Sequence, residues 1–156
     1  MSEVVLITIS GHDHTGITSS LTGILASYNV NVLDIGQSVI HDSLSLGILI
    51  ESPEEEKSCS VFKDILFKAH ELHLTARFTP ITLEEYEHWV NAQGKAKHIV
   101  TLLGRKITAR HLSRVTEIVS EFGFNIEQIS RLSGRVSLDG STQPRGASVQ
   151  LSLSGD

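Results

Sequence analysis

The chain has one cysteine, Cys59, in 156 residues. An internal disulfide framework is therefore excluded, and a reducing, cytoplasmic setting fits this cysteine usage best. Basic residues form no block, and the formal charge is −5, which argues against nucleic acid as the principal partner. Aromatic residues make up only 5% of the chain, and the strands read below lack the stacking rings that a nucleic-acid-binding sheet of this kind presents. No apolar run approaches the roughly 20 residues of a membrane helix. The first run stops at Ile9 behind Glu3 and does not read as a secretory signal. What remains is 40% hydrophobic residues, enough for one ordinary domain or two small ones.

The apolar residues are arranged twice over. A shift of 94 positions places Leu21 on Val115, Ile24 on Ile118, Leu25 on Val119 and Tyr28 on Phe122. The same shift places Asn31 on Asn125, Val32 on Ile126 and Ile35 on Ile129. Two amphipathic helices share a period by chance, but a shared aromatic, a shared asparagine and a shared following strand indicate a duplicated unit.

The first unit opens with a β-branched strand, EVVLITIS, followed by the glycine loop GHDHTGIT. Ile17, Leu21, Ile24, Leu25 and Tyr28 then fall on one helical face, which Asn29 ends. VNVLDIGQSVIH reads as a strand with Val30, Val32 and Ile35 toward the core, and LSLGILIE as its hairpin partner across the turn HDS. A second helix is expected to start near Ser52 as cap and Pro53, with three glutamates at its positive end and Val61, Ile65, Leu66 and Ala69 buried. Cys59 reads as a packed residue of that helix, and His70 and His73 as members of its solvated face. LTARFTPI is the last strand. The order βαββαβ is the ferredoxin-like plait, an antiparallel sheet with both helices on one face.

Residues 1–81 form this first unit, and 82–96 a linker helix in which Leu83, Tyr86 and Val90 face the body and Trp89 anchors it. Residues 97–156 form the second unit: KHIVTLLG, a helix with Leu112, Val115, Ile118, Val119 and Phe122 on its apolar face, FNIEQISRL and ASVQLSLS. Its hairpin tip, SGRVSLDGSTQPRG, reads as long, polar and mobile. The second unit is incomplete after its third strand, so a sheet edge is expected to be exposed. The fold class is α+β, two ferredoxin-like units, the second truncated.

These residues resemble tandem ACT domains. The GHDHTGIT loop, the second copy's LLGRKIT and the connecting ITLEEYEHWVNAQGKAKHIV are similar, more narrowly, to the N-terminal regulatory region of bacterial phosphoserine phosphatases. The resemblance implies ACT units that pair into dimers or higher oligomers and bind an amino acid where a first loop meets a neighbouring unit. The implied ligand is L-serine, acting allosterically on serine biosynthesis. It also implies a following haloacid-dehalogenase-type catalytic domain that uses Mg²⁺ and a D-x-D-x-[TV] motif. That motif is absent from this chain, where Asp34 precedes Ile-Gly and Asp13 precedes His-Thr. No cofactor and no catalytic residue is therefore assigned to the chain.

The family pattern places Gly11, Asp13 and Gly16 in the ligand site, with His12, His14 and Thr15 in the same loop. In the second copy the pattern is degraded. Gly104 persists, Ile107 stands near the aspartate's place, and Gly104, Arg105 and Thr108 are the residues nearest a shared site. Chemically, a helix N-terminus offers unpaired N–H groups to a carboxylate, and glycine lets the ligand approach the backbone. Asp13 reads either as an ammonium acceptor or as a helix cap. Gly11 and Gly16 read as ligand-approach or as turn glycines. His12 and His14 lack a third metal ligand at recognisable spacing, so no metal site is assigned. Asn31 and Asn125 read as turn residues, while Gln37 and Ser38 lie on a strand that could reach a ligand. A free-standing tandem ACT protein that binds another small amino acid is the alternative. A phosphate-handling enzyme on the same plait would need an arginine that the first loop lacks.

Overall fold

The computed structural model describes residues 3–53, 55–135, 138–139 and 146–155. The chain divides into two compact units, Met1–Asn91 and Ala92–Asp156. Most of the expected linker helix thus falls with the first unit.

The first unit runs β1 (Val4–His12), α1 (Ile17–Ser27), β2 (Asn31–Ile40), β3 (Ser43–Glu51), α2 (Glu55–Glu71), β4 (Thr75–Ile81) and α3 (Leu83–Ala92). Its sheet has the order β2-β3-β1-β4, antiparallel throughout. The pairing sets the two faces. Ile7 lies opposite Ile48 on one side and Phe78 on the other, and Ile9 lies opposite Leu46 and Ala76. Since side chains alternate along a strand, Val5, Ile7 and Ile9 share a face with Leu44, Leu46, Ile48 and Ile50. Ile17, Leu21 and Leu25 of α1 and Val61, Ile65 and Ala69 of α2 close over that face. Each fully buried side chain of this size contributes about 1.5–3 kcal/mol.

Several expectations are corrected here. Val32 and Ile35 are 41% and 48% exposed, because β2 is an edge strand that the helices cover incompletely. Leu66 and Cys59 lie on the outer side of α2. His73 is not on the helix: it follows α2 with φ +58, its N–H donating to His70 O at 3.1 Å. Asn31 is not the turn residue but the first residue of β2, and its amide donates to Glu51 Oε2 at 3.3 Å. The turn is made instead by Asn29, at φ +54. Ser52 donates its hydroxyl to the Pro53 carbonyl at 3.3 Å, and its N–H to Glu3 O at 2.6 Å. Glu54 and the side chains of the other two glutamates fall outside what the structure describes, and with them the expected role at the start of α2. α3 carries no buried residue: Tyr86 and Val90 are half-buried, and Leu83 and Trp89 are exposed.

Tyr28 joins the two helices of the first unit by donating its hydroxyl to Asp64 Oδ2 at 2.5 Å. That hydrogen bond, then burial, then the negative charge of Asp64, raise the Tyr28 pKa above 10.0. A raised folded-state pKa means the contribution is fully present below pH 10 and lost as pH rises through the higher folded value. In ultraviolet titration Asp64→Asn is expected to bring the ionisation of Tyr28 to lower pH, and an unchanged titration curve would contradict the pairing.

The second unit runs β5 (Ala96–Gly104), α4 (Ala109–Glu121), β6 (Asn125–Arg131) and β7 (Ala147–Gly155), with sheet order β5-β7-β6. The repeat extends to backbone detail. Gly123, 94 residues after Asn29, also has positive φ, at +78. Val30 N donates to Leu25 O, and Phe124 N to Val119 O, each at 3.1 Å. A bulge falls between Val32 and Asp34, and again between Ile126 and Gln128. The core is smaller: Val149, Leu151 and Leu153 of β7 are buried with Val119 of the single helix α4, whose Leu112 and Val115 pack against them. Ile118 and Phe122, expected on the buried face, are 38% and 74% exposed. Their counterparts Ile24 and Tyr28 pack in the first unit, where Tyr28 meets α2. Among the described residues the second unit has no second helix to do the same. Most of its long hairpin tip lies outside the described residues.

Candidate functional site

The first loop begins where β1 runs out beneath the α2–β4 turn. At Gly11, φ is +151, and a β-carbon would sit 2.7 Å from Leu74 Cδ2 and 3.4 Å from the His73 carbonyl oxygen. Glycine is required there both by conformation and by space. The loop is tied down again at Asp13, whose N–H donates to Asp42 O in the β2–β3 turn at 2.7 Å.

α1 then starts from Gly16, which is its N-cap in the left-handed region at φ +92. No side chain caps the helix, so Asp13 does not serve as its cap. The first N–H groups of an α-helix have no partner within the helix, and the first intrahelical bond here is Ser20 N to Gly16 O at 3.0 Å. The N–H groups of Ile17, Thr18 and Ser19 thus form a donor cluster at the positive end of the helix dipole. Gly16 itself is exposed, and a β-carbon on it would meet nothing within 4 Å. Thr18 is held beside them by its hydroxyl, which donates to Gln37 Oε1 at 2.5 Å.

Because only backbone conformation restricts Gly16, Gly16→Ala is expected to cost about 1–2 kcal/mol. Urea unfolding measures this, and a loss below the error of the method would contradict the left-handed cap.

The remaining loop residues lead into this helix start. Asp13 is half-buried, whereas His12, His14 and Thr15 are exposed, and His14 Nδ1 lies 3.3 Å from Thr15 O. Among the described residues no three of His, Cys, Asp and Glu are grouped as a metal ion would need.

The second unit's loop is built differently. Gly104 ends β5 and Arg105 is exposed. Thr108 is the N-cap of α4: its Oγ1 accepts from His111 N at 3.4 Å, while its own N–H donates to His111 Nδ1 at 3.1 Å. This reciprocal cap occupies a donor that α1 leaves free. The sequence reading missed it because histidine stands where such boxes carry glutamate or glutamine. Gln37, read only as a strand residue within reach of a ligand, is the partner that fixes Thr18.

Comparison with known proteins agrees with this architecture. Two ACT domain models match the chain, at residues 3–79 and 96–135. Phosphoserine phosphatase SerB2 of Mycobacterium tuberculosis is 32% identical over 130 residues, 83% of this chain and 31% of that protein. The phosphoserine phosphatase of Streptomyces coelicolor is 30% identical over 129 residues, 83% of this chain and 30% of that protein. The chain thus spans about a third of the length of these relatives. UPF0237 protein MJ1558 of Methanocaldococcus jannaschii is 32% identical over 71 residues, 46% of this chain and 78% of that protein. Among solved structures, an unknown protein from Galdieria sulphuraria has the same fold, with a TM-score of 0.71 at 10% identity over 99% of this chain and 83% of that one. With its two βαβ-type units, its glycine loop and these two matches, the chain belongs to the ACT domain family and carries two ACT units in tandem.

Proposed function

We propose that the chain is the regulatory, amino-acid-binding part of a phosphoserine phosphatase, that its ligand is L-serine, and that it acts as a dimer or higher oligomer. The observation that carries this reading is the open N-terminus of α1. The N–H groups of Ile17, Thr18 and Ser19 receive the ligand carboxylate, and the Asp13 carboxylate receives its ammonium. The assignment to a phosphatase rests on similarity that runs through 130 residues, across both units. The shorter match to the M. jannaschii protein covers 46% of the chain and favours a free-standing ACT protein less well.

Serine alters activity in this reading only through its different affinities for two arrangements of the ACT units. The chain has no D-x-D motif, so it is expected not to hydrolyse O-phosphoserine by itself. In the parent enzyme, Mg²⁺ and the nucleophile belong to another domain.

Isothermal titration with L-serine, glycine and L-alanine tests the reading. Serine is expected to bind selectively. Asp13→Ala removes a charged hydrogen bond, for an expected loss of about 1.5–3 kcal/mol, or roughly 10- to 150-fold. Equal affinity for all three amino acids, or an unchanged affinity in Asp13→Ala, would overturn it.

A further inference from the structure

The face of the first sheet that turns away from the core holds a cavity. Across that face, pairing aligns one continuous row: Asp34 beside Leu49, Leu49 beside Leu6, and Leu6 beside Thr79. α3 lies over this row. Its direction is fixed by a reciprocal cap in which Thr82 N donates to Glu85 Oε2 at 2.9 Å and Glu85 N donates to Thr82 Oγ1 at 3.1 Å. None of its residues is buried, so helix and sheet leave a gap between them. The gap has a volume of about 530 Å³, within the range of small-molecule sites. Leu6, Leu49 and Ile81 line its floor, and Tyr86 and Trp89 of α3, with ring centroids 6.0 Å apart, line its other wall.

The only charged groups in the lining are the carboxylates of Asp34 and Glu85. Glu85 is committed to the cap of α3. Asp34 uses Oδ1 to accept from Ile35 N at 2.9 Å, and among the described residues it has no ion pair. It stands on the β2 bulge, a feature that re-aims side chains. The second unit repeats the bulge but places Gln128 at the equivalent position. The backbone device is therefore common to both units, whereas the carboxylate belongs to the first alone.

An apolar cavity with aromatic walls and an unpaired carboxylate selects a cation with an apolar body. Aromatic faces also attract cations. We propose that this cavity binds a primary organic amine with an alkyl or aromatic body. Its ammonium pairs with Asp34, and its body lies between Leu6, Leu49 and Trp89. A free amino acid is disfavoured, because its carboxylate would enter a cavity whose only charges are negative. The site is separate from the loop proposed for serine, since Leu6 and His12 stand six residues apart on one strand, about 20 Å.

Trp89 is the only tryptophan of the chain, so its emission, excited selectively, reports this cavity. The test titrates the chain with phenethylamine, 2-phenylethanol and L-phenylalanine. Phenethylamine is expected to change the emission saturably and to bind at least tenfold more tightly than the other two. Asp34→Asn and Asp34→Gln are expected to weaken the amine at least tenfold and leave the alcohol unchanged. The glutamine variant copies the residue that the second unit accommodates at this bulge, so it keeps the test valid if the asparagine variant folds poorly. Gly16→Val is expected to leave the amine unaffected, so failure here and failure of the serine reading are distinguishable. Equal binding of the three probes, no saturable response, or unchanged amine affinity in both Asp34 variants would overturn the proposal.

Discussion

Leu151→Ala is expected to unfold the second unit while the first stays folded. Leu151 is fully buried in β7, the central strand that pairs with both β5 and β6. Removing its side chain leaves a cavity costing about 2–5 kcal/mol. A unit of this size has roughly 3–9 kcal/mol of stability at the usual 0.05–0.15 kcal/mol per residue. This one is expected low in that range, because its buried core cluster is three aliphatic residues of β7 and Val119 of its one helix. The first unit has its own core of buried residues from β1, β3, α1 and α2. Hydrogen exchange followed by mass spectrometry resolves the two: protection is expected to vanish in β5, β6 and β7 and to persist in β1 and β3. Loss of protection in both sheets together would show that the units fold as one.

The second large effect is expected at Gly11. Gly11→Val places a β-branched residue at φ +151, with its β-carbon 2.7 Å from Leu74 Cδ2. Backbone strain contributes about 1–3 kcal/mol, and forcing apart a packed neighbour about 1–3 kcal/mol more. Leu74 has little room to yield, being 8% exposed and part of the core cluster. The first unit is expected to lose about 2–6 kcal/mol in urea unfolding. Serine affinity is expected to fall with it, because the displaced segment leads directly to Asp13 and its bond to Asp42. A loss under 1 kcal/mol would mean that the strand end relaxes freely, and that Gly11 does not position the loop.

The architecture was legible because two periods alternate cleanly in the sequence. EVVLITIS reads as a buried β-branched strand and Leu21 and Leu25 keep a helical period, and Val5, Ile7, Ile9, Leu21 and Leu25 are all buried in the structure. The errors share a physical origin. Alternation shows which side of a strand is apolar, but not whether a neighbour covers it, so Val32 and Ile35 of the edge strand were read as core. The same blindness explains Leu66, Ile118 and Phe122: a helical stripe has a width, and only the packed neighbour decides how much of it is buried. At the site, glycines announced the loop. Whether a helix start is open or capped depends on which side chain turns back, and Thr108 with His111 shows that an unusual partner can close it. The α3 cavity was illegible because its walls come from β1, β2, β3, β4 and α3, elements separated along the chain and joined only by register.

Backbone amide NMR of the chain titrated with L-serine locates the bound ligand. The largest shifts are expected at the N–H groups of Ile17, Thr18 and Ser19, with Asp13 close behind, and none of comparable size at Asp34 or Trp89. Serine-dependent shifts centred on the α3 cavity, or an unperturbed start of α1 at saturating serine, would contradict the proposed site.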